Sequence, residues 1–97
     1  MNLSFLKLAQ QEVDDAVVWY DSQLSGLGVR FLDDLDRAVR RITLYPLSCA
    51  EIEPGLRRCL LTRFPHGVIY GIEADAIIVV AVAHLHREPR YWVDRIK

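Results

Sequence analysis

Apolar and polar positions change their spacing three times along this chain of 97 residues. Leu3, Phe5 and Leu6, with Leu8, make a short, partly alternating apolar run that predicts an opening strand, because successive strand side chains point to opposite faces. The period then lengthens. Val13, Ala16, Val17, Tyr20 and Leu24 fall on one face of a helix, and Gln11, Glu12, Asp14, Asp15 and Asp21 occupy the other. Ser25-Gly26-Leu27-Gly28 breaks that helix. A second helical stripe follows in Phe31, Leu35, Ala38 and Ile42, widened by Leu32 and Val39, with Asp33, Asp34, Asp36, Arg37, Arg40 and Arg41 outside it. In both helices the acids come early, as the helix dipole favours, and in the second the bases come late. Tyr45-Pro46 ends the second helix, since proline disfavours helical geometry in the residue before it.

From Leu56 onward the texture is that of strands: Leu56 to Thr62, Val68 to Glu73, and Ala76 to Ala83. Glu73-Ala74-Asp75 is short enough to join the last two as an antiparallel hairpin. Ile77 to Val82 is apolar at every position, which predicts a central strand covered by the helices on one side and by the tail or a partner on the other. The expectation is a single α+β domain over residues 1–97: an N-terminal strand, an antiparallel helix hairpin, a three-stranded antiparallel meander and a short C-terminal tail in two layers.

Charge changes this picture more than composition does. The chain carries 12 Lys and Arg against 13 Asp and Glu, a balance that excludes a histone-like polycation. Residues 1–55 hold five bases and nine acids, a net of −4, whereas residues 56–97 hold seven bases (Arg57, Arg58, Arg63, Arg87, Arg90, Arg95, Lys97) and four acids, a net of +3. All three histidines, His66, His84 and His86, lie in the second part, where an anionic ligand is expected. The longest apolar run, Ala76 to Ala83, is far short of the ~20 residues a membrane helix needs. No basic region followed by a long apolar one opens the chain, so the cytoplasm is the expected location. There Cys49 and Cys59 are expected as free thiols.

The chain has no phosphate-cradling glycine loop, nucleophile elbow or H-E-x-x-H motif. What it offers is His84-Leu85-His86-Arg87-Glu88-Pro89-Arg90-Tyr91-Trp92, together with Arg57, Arg58 and Arg63. On a strand His84 and His86 share a face, but a metal needs three or four donors and Glu88 would join them only if the strand continued, so neither metal nor cofactor is assigned. Two readings of the set stay open. Histidine, arginine and tyrosine suit the base, the phosphate-stabilising cation and the acid of RNA cleavage, with Tyr91 and Trp92 as stacking platforms. Equally, the aromatic pair can pack the tail onto the sheet while the arginines pair with helix carboxylates.

The order of several segments resembles the RelE/ParE superfamily of toxins. These are Ala16-Val17-Val18-Trp19-Tyr20, Gly26-Leu27-Gly28-Val29-Arg30-Phe31-Leu32, Gly55-Leu56-Arg57-Arg58, Arg63-Phe64-Pro65-His66-Gly67-Val68-Ile69-Tyr70, and Ala81 through Trp92. The resemblance covers nearly the whole chain and implies the toxin half of a bacterial type II toxin–antitoxin pair, also described as a plasmid stabilisation protein. It further implies an antitoxin whose disordered segment folds as it wraps the toxin, in a toxin–antitoxin hetero-oligomer. RelE-like members cut mRNA on the ribosome, and many place an arginine where this chain has Gly67; the separation of Arg87 from Tyr91 is also shorter than theirs.

Arg63-Phe64-Pro65-His66 and the pattern His84, Arg87, Pro89, Tyr91, Trp92 look closer to ParE, whose members are associated with poisoning DNA gyrase by binding. The resemblance thus implies gyrase as the target, with those five residues as candidate target-binding positions; the short apolar runs give no reason to expect a membrane partner. The alternatives are a ribosome-dependent endoribonuclease using Arg57, Arg58, Arg63, His84, His86, Arg87 and Tyr91 on mRNA, and a degenerate homologue that binds antitoxin without toxicity.

Overall fold

The structure is a computed structural model that describes residues 1–96; Lys97, counted above with the basic tail, lies outside them. The elements run β1 (Asn2–Phe5), α1 (Lys7–Gln23), α2 (Leu27–Leu44), β2 (Ala50–Glu53), β3 (Leu56–Leu60), β4 (His66–Glu73) and β5 (Ala76–His84), followed by a 3₁₀ turn at Val93–Ile96. The α+β class holds, but the three-stranded meander does not describe the sheet. Five strands form one mixed sheet in the order β1-β5-β4-β3-β2. The N-terminal strand joins β5 in parallel, and Ala50–Glu53 adds an antiparallel edge to β3.

β1 alternates as expected, with Leu3 and Phe5 half-buried and Asn2 and Ser4 exposed, and its register sets Leu3 beside Ile77 and Phe5 beside Val79. It stops there, so Leu8 belongs to the first turn of α1 and is exposed. α1 buries Ala9, Val13 and Tyr20, and α2 buries Phe31, Leu35, Ala38 and Ile42. Leu24 lies beyond the last turn of α1 and Leu32 lies at the margin of the α2 stripe, so both are exposed. Neither helix has an acid in its first turn, because each begins several residues before the acids. The dipole contribution expected from them is correspondingly small.

The hairpin turns at Gly26, whose φ of 89° favours glycine. At Gly28 the helices are in close contact: a Cβ there would sit 2.8 Å from the Val17 carbonyl oxygen, and the Gly28 N–H donates to Asp21 Oδ1 at 2.8 Å. Tyr20 then stacks on Phe31 with ring centroids 5.4 Å apart.

The helices cover one sheet face, where Cys59, Val68, Tyr70, Ile77, Val79 and Val82 meet them in the main core. On the other face a smaller core of Leu56, Ile69, Val80, Ala81 and Ala83 is closed by Trp92 from the tail. β5 is therefore buried on both sides, as its uninterrupted apolar run predicts. Ile69 pairs with Ala81 and Tyr70 with Val79, which leaves Val80 without a partner on β4. This bulge turns both Val80 and Ala81 toward the tail.

Candidate functional site

Beyond Phe5 the distal half of β5 keeps β4 on one side but has no strand on its β1 side, and an open strand edge carries unpaired backbone groups. Side chains complete this one. The Val82 N–H donates to Glu12 Oε1 at 3.0 Å, and Arg95 Nη1 donates to the Val80 carbonyl at 3.1 Å. Arg95 also grips Glu12 with both nitrogens, at 2.9 and 3.2 Å. The Tyr91 hydroxyl donates to Glu12 Oε2, and Arg87 approaches the same oxygen at 3.4 Å with its guanidinium 3.8 Å above the Tyr91 ring. Burial first, and then the bond to Glu12 and its charge, push the Tyr91 hydroxyl well above the usual phenol range, so it stays a donor. Glu12, expected on a solvated face, is instead 12% exposed and fastens the tail to α1.

With the tail fixed, a cleft of about 240 Å³ opens between it, the end of β2 and the sheet. Ile52, Ile69, Ala83 and the buried Trp92 form its apolar part, while Arg58, His84, Arg87 and Arg90 bring positive or titratable groups. Arg90 has a φ of 62°, strained for a side chain of its size, and donates to Glu53 Oε1 at 2.7 Å. Arg58 crosses over Gly67, where a Cβ would stand 3.0 Å from its Cγ and Cδ.

His66 and His84 face each other across β4 and β5, with ring centroids 5.1 Å apart. His66 is buried against Phe31 and Tyr20, and its Nδ1 has no hydrogen-bond partner among the described residues. Desolvation, assisted by His84 and opposed by Glu12, lowers its pKa to about 4, so the ring is neutral. β5 ends at His84, so His86 is not on a strand and the two do not share a strand face as expected. The turn brings them together differently: the His86 N–H donates to His84 Nδ1 at 3.1 Å. Among the described residues no group of three or more His, Cys, Asp or Glu could hold a metal ion, and no helix is long and apolar enough to cross a membrane.

The arginines divide. Strand alternation puts Arg58 on the tail face with Leu56, and Arg57 on the helix face with Cys59. Arg57 donates there to the carbonyls of Leu47 and Cys49, at 3.2 and 2.7 Å. Arg63 lies in the loop before β4, whose backbone is held by Asp34. That carboxylate is fully buried and accepts from the N–H groups of Thr62, Arg63 and Phe64 and from the Thr62 hydroxyl. Burial pushes the Asp34 carboxyl up, but these four bonds outweigh it and hold it below the usual range. Of the seven residues considered for RNA cleavage, Arg58, His84, Arg87 and Tyr91 line the cleft, whereas Arg57, Arg63 and His86 do not.

Glu12 and Asp34 are the residues the periodicity misplaces, and the same signal marks both. Glu12 sits three residues after Ala9 and four before Ala16; Asp34 sits three after Phe31 and four before Ala38. An acid at that phase lies within the apolar stripe, where burial demands partners.

No curated protein sequence matches the chain. A chain from the chromosomal ParDE TA system of P. aeruginosa matches in structure with a TM-score of 0.78 and 17% identity, over 89% of this chain and 97% of that one. The architecture built here, with β1 in parallel on β5 beneath a helix hairpin, is therefore one already seen in a solved structure. A family model described as the ParE toxin of the type II toxin–antitoxin system parDE matches residues 3–89, from within β1 through both helices and the other four strands, and the chain belongs to that family.

Proposed function

We propose that this protein acts as a toxin by binding and poisoning DNA gyrase, and that a cognate antitoxin neutralises it. The observation that carries the preference for binding over RNA cleavage is the state of the groups such cleavage would use. The Tyr91 hydroxyl is committed to Glu12, His84 Nδ1 already accepts the His86 N–H, and Arg57 lies on the opposite sheet face. The cleft presents an apolar floor rimmed by Arg58 and by Arg87 and Arg90, which are paired with Glu12 and Glu53, a lining that suits recognition more than general acid–base chemistry. In this reading His84, Arg87 and Pro89 meet the target, while Tyr91 and the buried Trp92 hold the tail in the shape that presents them.

The antitoxin would take a different surface. A groove lined by Phe5, Leu32, Leu35 and Val39 runs between β1 and α2, rimmed by Asp33 and Asp36. That pattern suits an amphipathic segment with apolar anchors and basic flanks.

Purified toxin added to gyrase is expected to stall supercoiling and accumulate cleaved DNA complexes while translated mRNA stays intact. His84→Ala and Arg87→Ala should abolish both effects and retain antitoxin binding. Codon-dependent mRNA cuts with normal gyrase activity would overturn the proposal in favour of the endoribonuclease. Activity in neither assay, with antitoxin binding intact, would identify a non-toxic homologue.

A further inference from the structure

Cys49 and Cys59 stand apart from the cleft and serve nothing in it. Ala50 pairs with Arg58 and Glu51 with Arg57 across β2 and β3, so one further step of that register sets Cys49 directly opposite Cys59. Opposed residues of an antiparallel pair have Cβ atoms about 4.5–5.5 Å apart, and a disulfide needs about 3.5–4.5 Å. Closure therefore takes a shift of about 1 Å at a strand end. Cys49 also packs against the core cluster that holds Cys59 and Tyr70. Their surroundings are fixed, since Tyr70 donates to the Pro46 carbonyl at 2.7 Å and Arg57 to the Cys49 carbonyl at 2.7 Å. Arg41 Nη2 stands 3.6 Å from Cys59 Sγ and is anchored on the Leu60 carbonyl at 2.9 Å. Access differs, for Cys59 is buried and Cys49 is half-buried.

We propose that Cys49 and Cys59 form an intrachain disulfide by exchange with a low-molecular-weight disulfide such as oxidised glutathione, and that this bond pins the edge strand β2 to β3. The Cys49 thiol loses its proton to water and its sulfur attacks one sulfur of the oxidant. A mixed disulfide forms and one glutathione thiolate leaves, taking up a proton. The Cys59 thiol then gives its proton to water and its sulfur attacks the Cys49 sulfur, releasing the second glutathione. The protein loses two hydrogens and the oxidant becomes two thiols. The order follows from access and acidity: burial pushes the Cys59 thiol up, which makes it a poor first nucleophile, while Arg41 favours its thiolate once the mixed disulfide is beside it. The strand so pinned is only four residues long and irregularly paired at Glu51 and Glu53, and it supplies Ile52 and Glu53 to the cleft.

The full-length chain is equilibrated in buffers of graded oxidised-to-reduced glutathione ratio and followed by intact mass, thiol alkylation and non-reducing peptide mapping. The expected product is a monomer lighter by two hydrogens, with Cys49 joined to Cys59, both thiols protected, and full reversal by excess reduced thiol. Amide exchange over Ala50–Glu53 should slow about tenfold on oxidation, as local opening is suppressed. Cys59→Ser should trap a stable glutathione adduct on Cys49. A stable adduct in the unmutated chain, dimers alone, or two free thiols at every ratio would overturn the proposal. Unchanged exchange in the oxidised chain would overturn the pinning.

Discussion

Glu12→Ala removes one side chain and strands four donors. Arg95 loses both its carboxylate contacts, and the Tyr91 hydroxyl, the Val82 N–H and Arg87 lose their acceptor. Breaking a buried ion pair by deleting one partner costs about 3–5 kcal/mol. Arg95 retains 13% exposure and its bond to the Val80 carbonyl, and it belongs to a terminal turn that can relax, so we take the lower end, about 3 kcal/mol. A domain of this size has about 5–15 kcal/mol in total, and at about 4–8 °C per kcal/mol the expected fall in Tm is about 12–24 °C. Urea denaturation followed by tryptophan fluorescence reads this directly, because Trp92 is buried by the tail that Glu12 holds. Glu12→Gln, which keeps an oxygen for Val82 but loses the charge, should fall between alanine and the native residue. A double-mutant cycle with Arg95→Met should give a coupling energy of about 1–3 kcal/mol. A loss below about 1 kcal/mol for Glu12→Ala, or strict additivity in the cycle, would refute the assignment of Glu12 as the tail's anchor.

Three further outcomes follow from buried groups and a close contact. The folded pKa of His66, about 4, lies below its ordinary 6.5, so its contribution to stability is complete above pH 6.5 and is lost as pH falls toward 4. His66→Phe should flatten the decline of Tm across that window, and an unchanged slope would contradict the assignment. Asp34→Ala should cost about 3 kcal/mol and speed amide exchange at Thr62, Arg63 and Phe64, since three N–H groups lose their acceptor; an effect confined to global stability would argue against Asp34 as the loop's organiser. Gly28→Ala would ordinarily stabilise a helix, but the added Cβ meets the Val17 carbonyl oxygen at 2.8 Å, so calorimetry should show a loss of about 1–3 kcal/mol.

The helix hairpin and the strands from Leu56 onward were legible because each rests on local periodicity and local turns. β2 was not: Ala-Glu-Ile-Glu is short, half-exposed and charged, and only its pairing with β3 makes it a strand. The parallel seam between β1 and β5 was hidden for a different reason, since a crossover partner leaves no mark within either segment. At the site, the basic tail was legible as composition, but its charges are largely spent within the molecule. Arg87 and Arg95 answer Glu12, and Arg90 answers Glu53. A sequence pattern separates apolar from polar positions; it does not separate a solvated acid from one that is surrounded.

The seam between the first strand and the last has a consequence for how this chain is made. Synthesis runs at about 5–20 residues per second, and the helix hairpin, built from near neighbours in sequence, can form as it emerges. β1 must wait for Ile77 to Val79, and Glu12 must wait for Arg95, 83 positions later. Until Ile77 to Val79 have been made, the hairpin carries an apolar face with no sheet to cover it. A stop codon before Ile77 therefore yields not a smaller domain but two sticky helices for proteases to clear, and one between His84 and Arg95 yields a sheet whose β5 edge and outer core lie open.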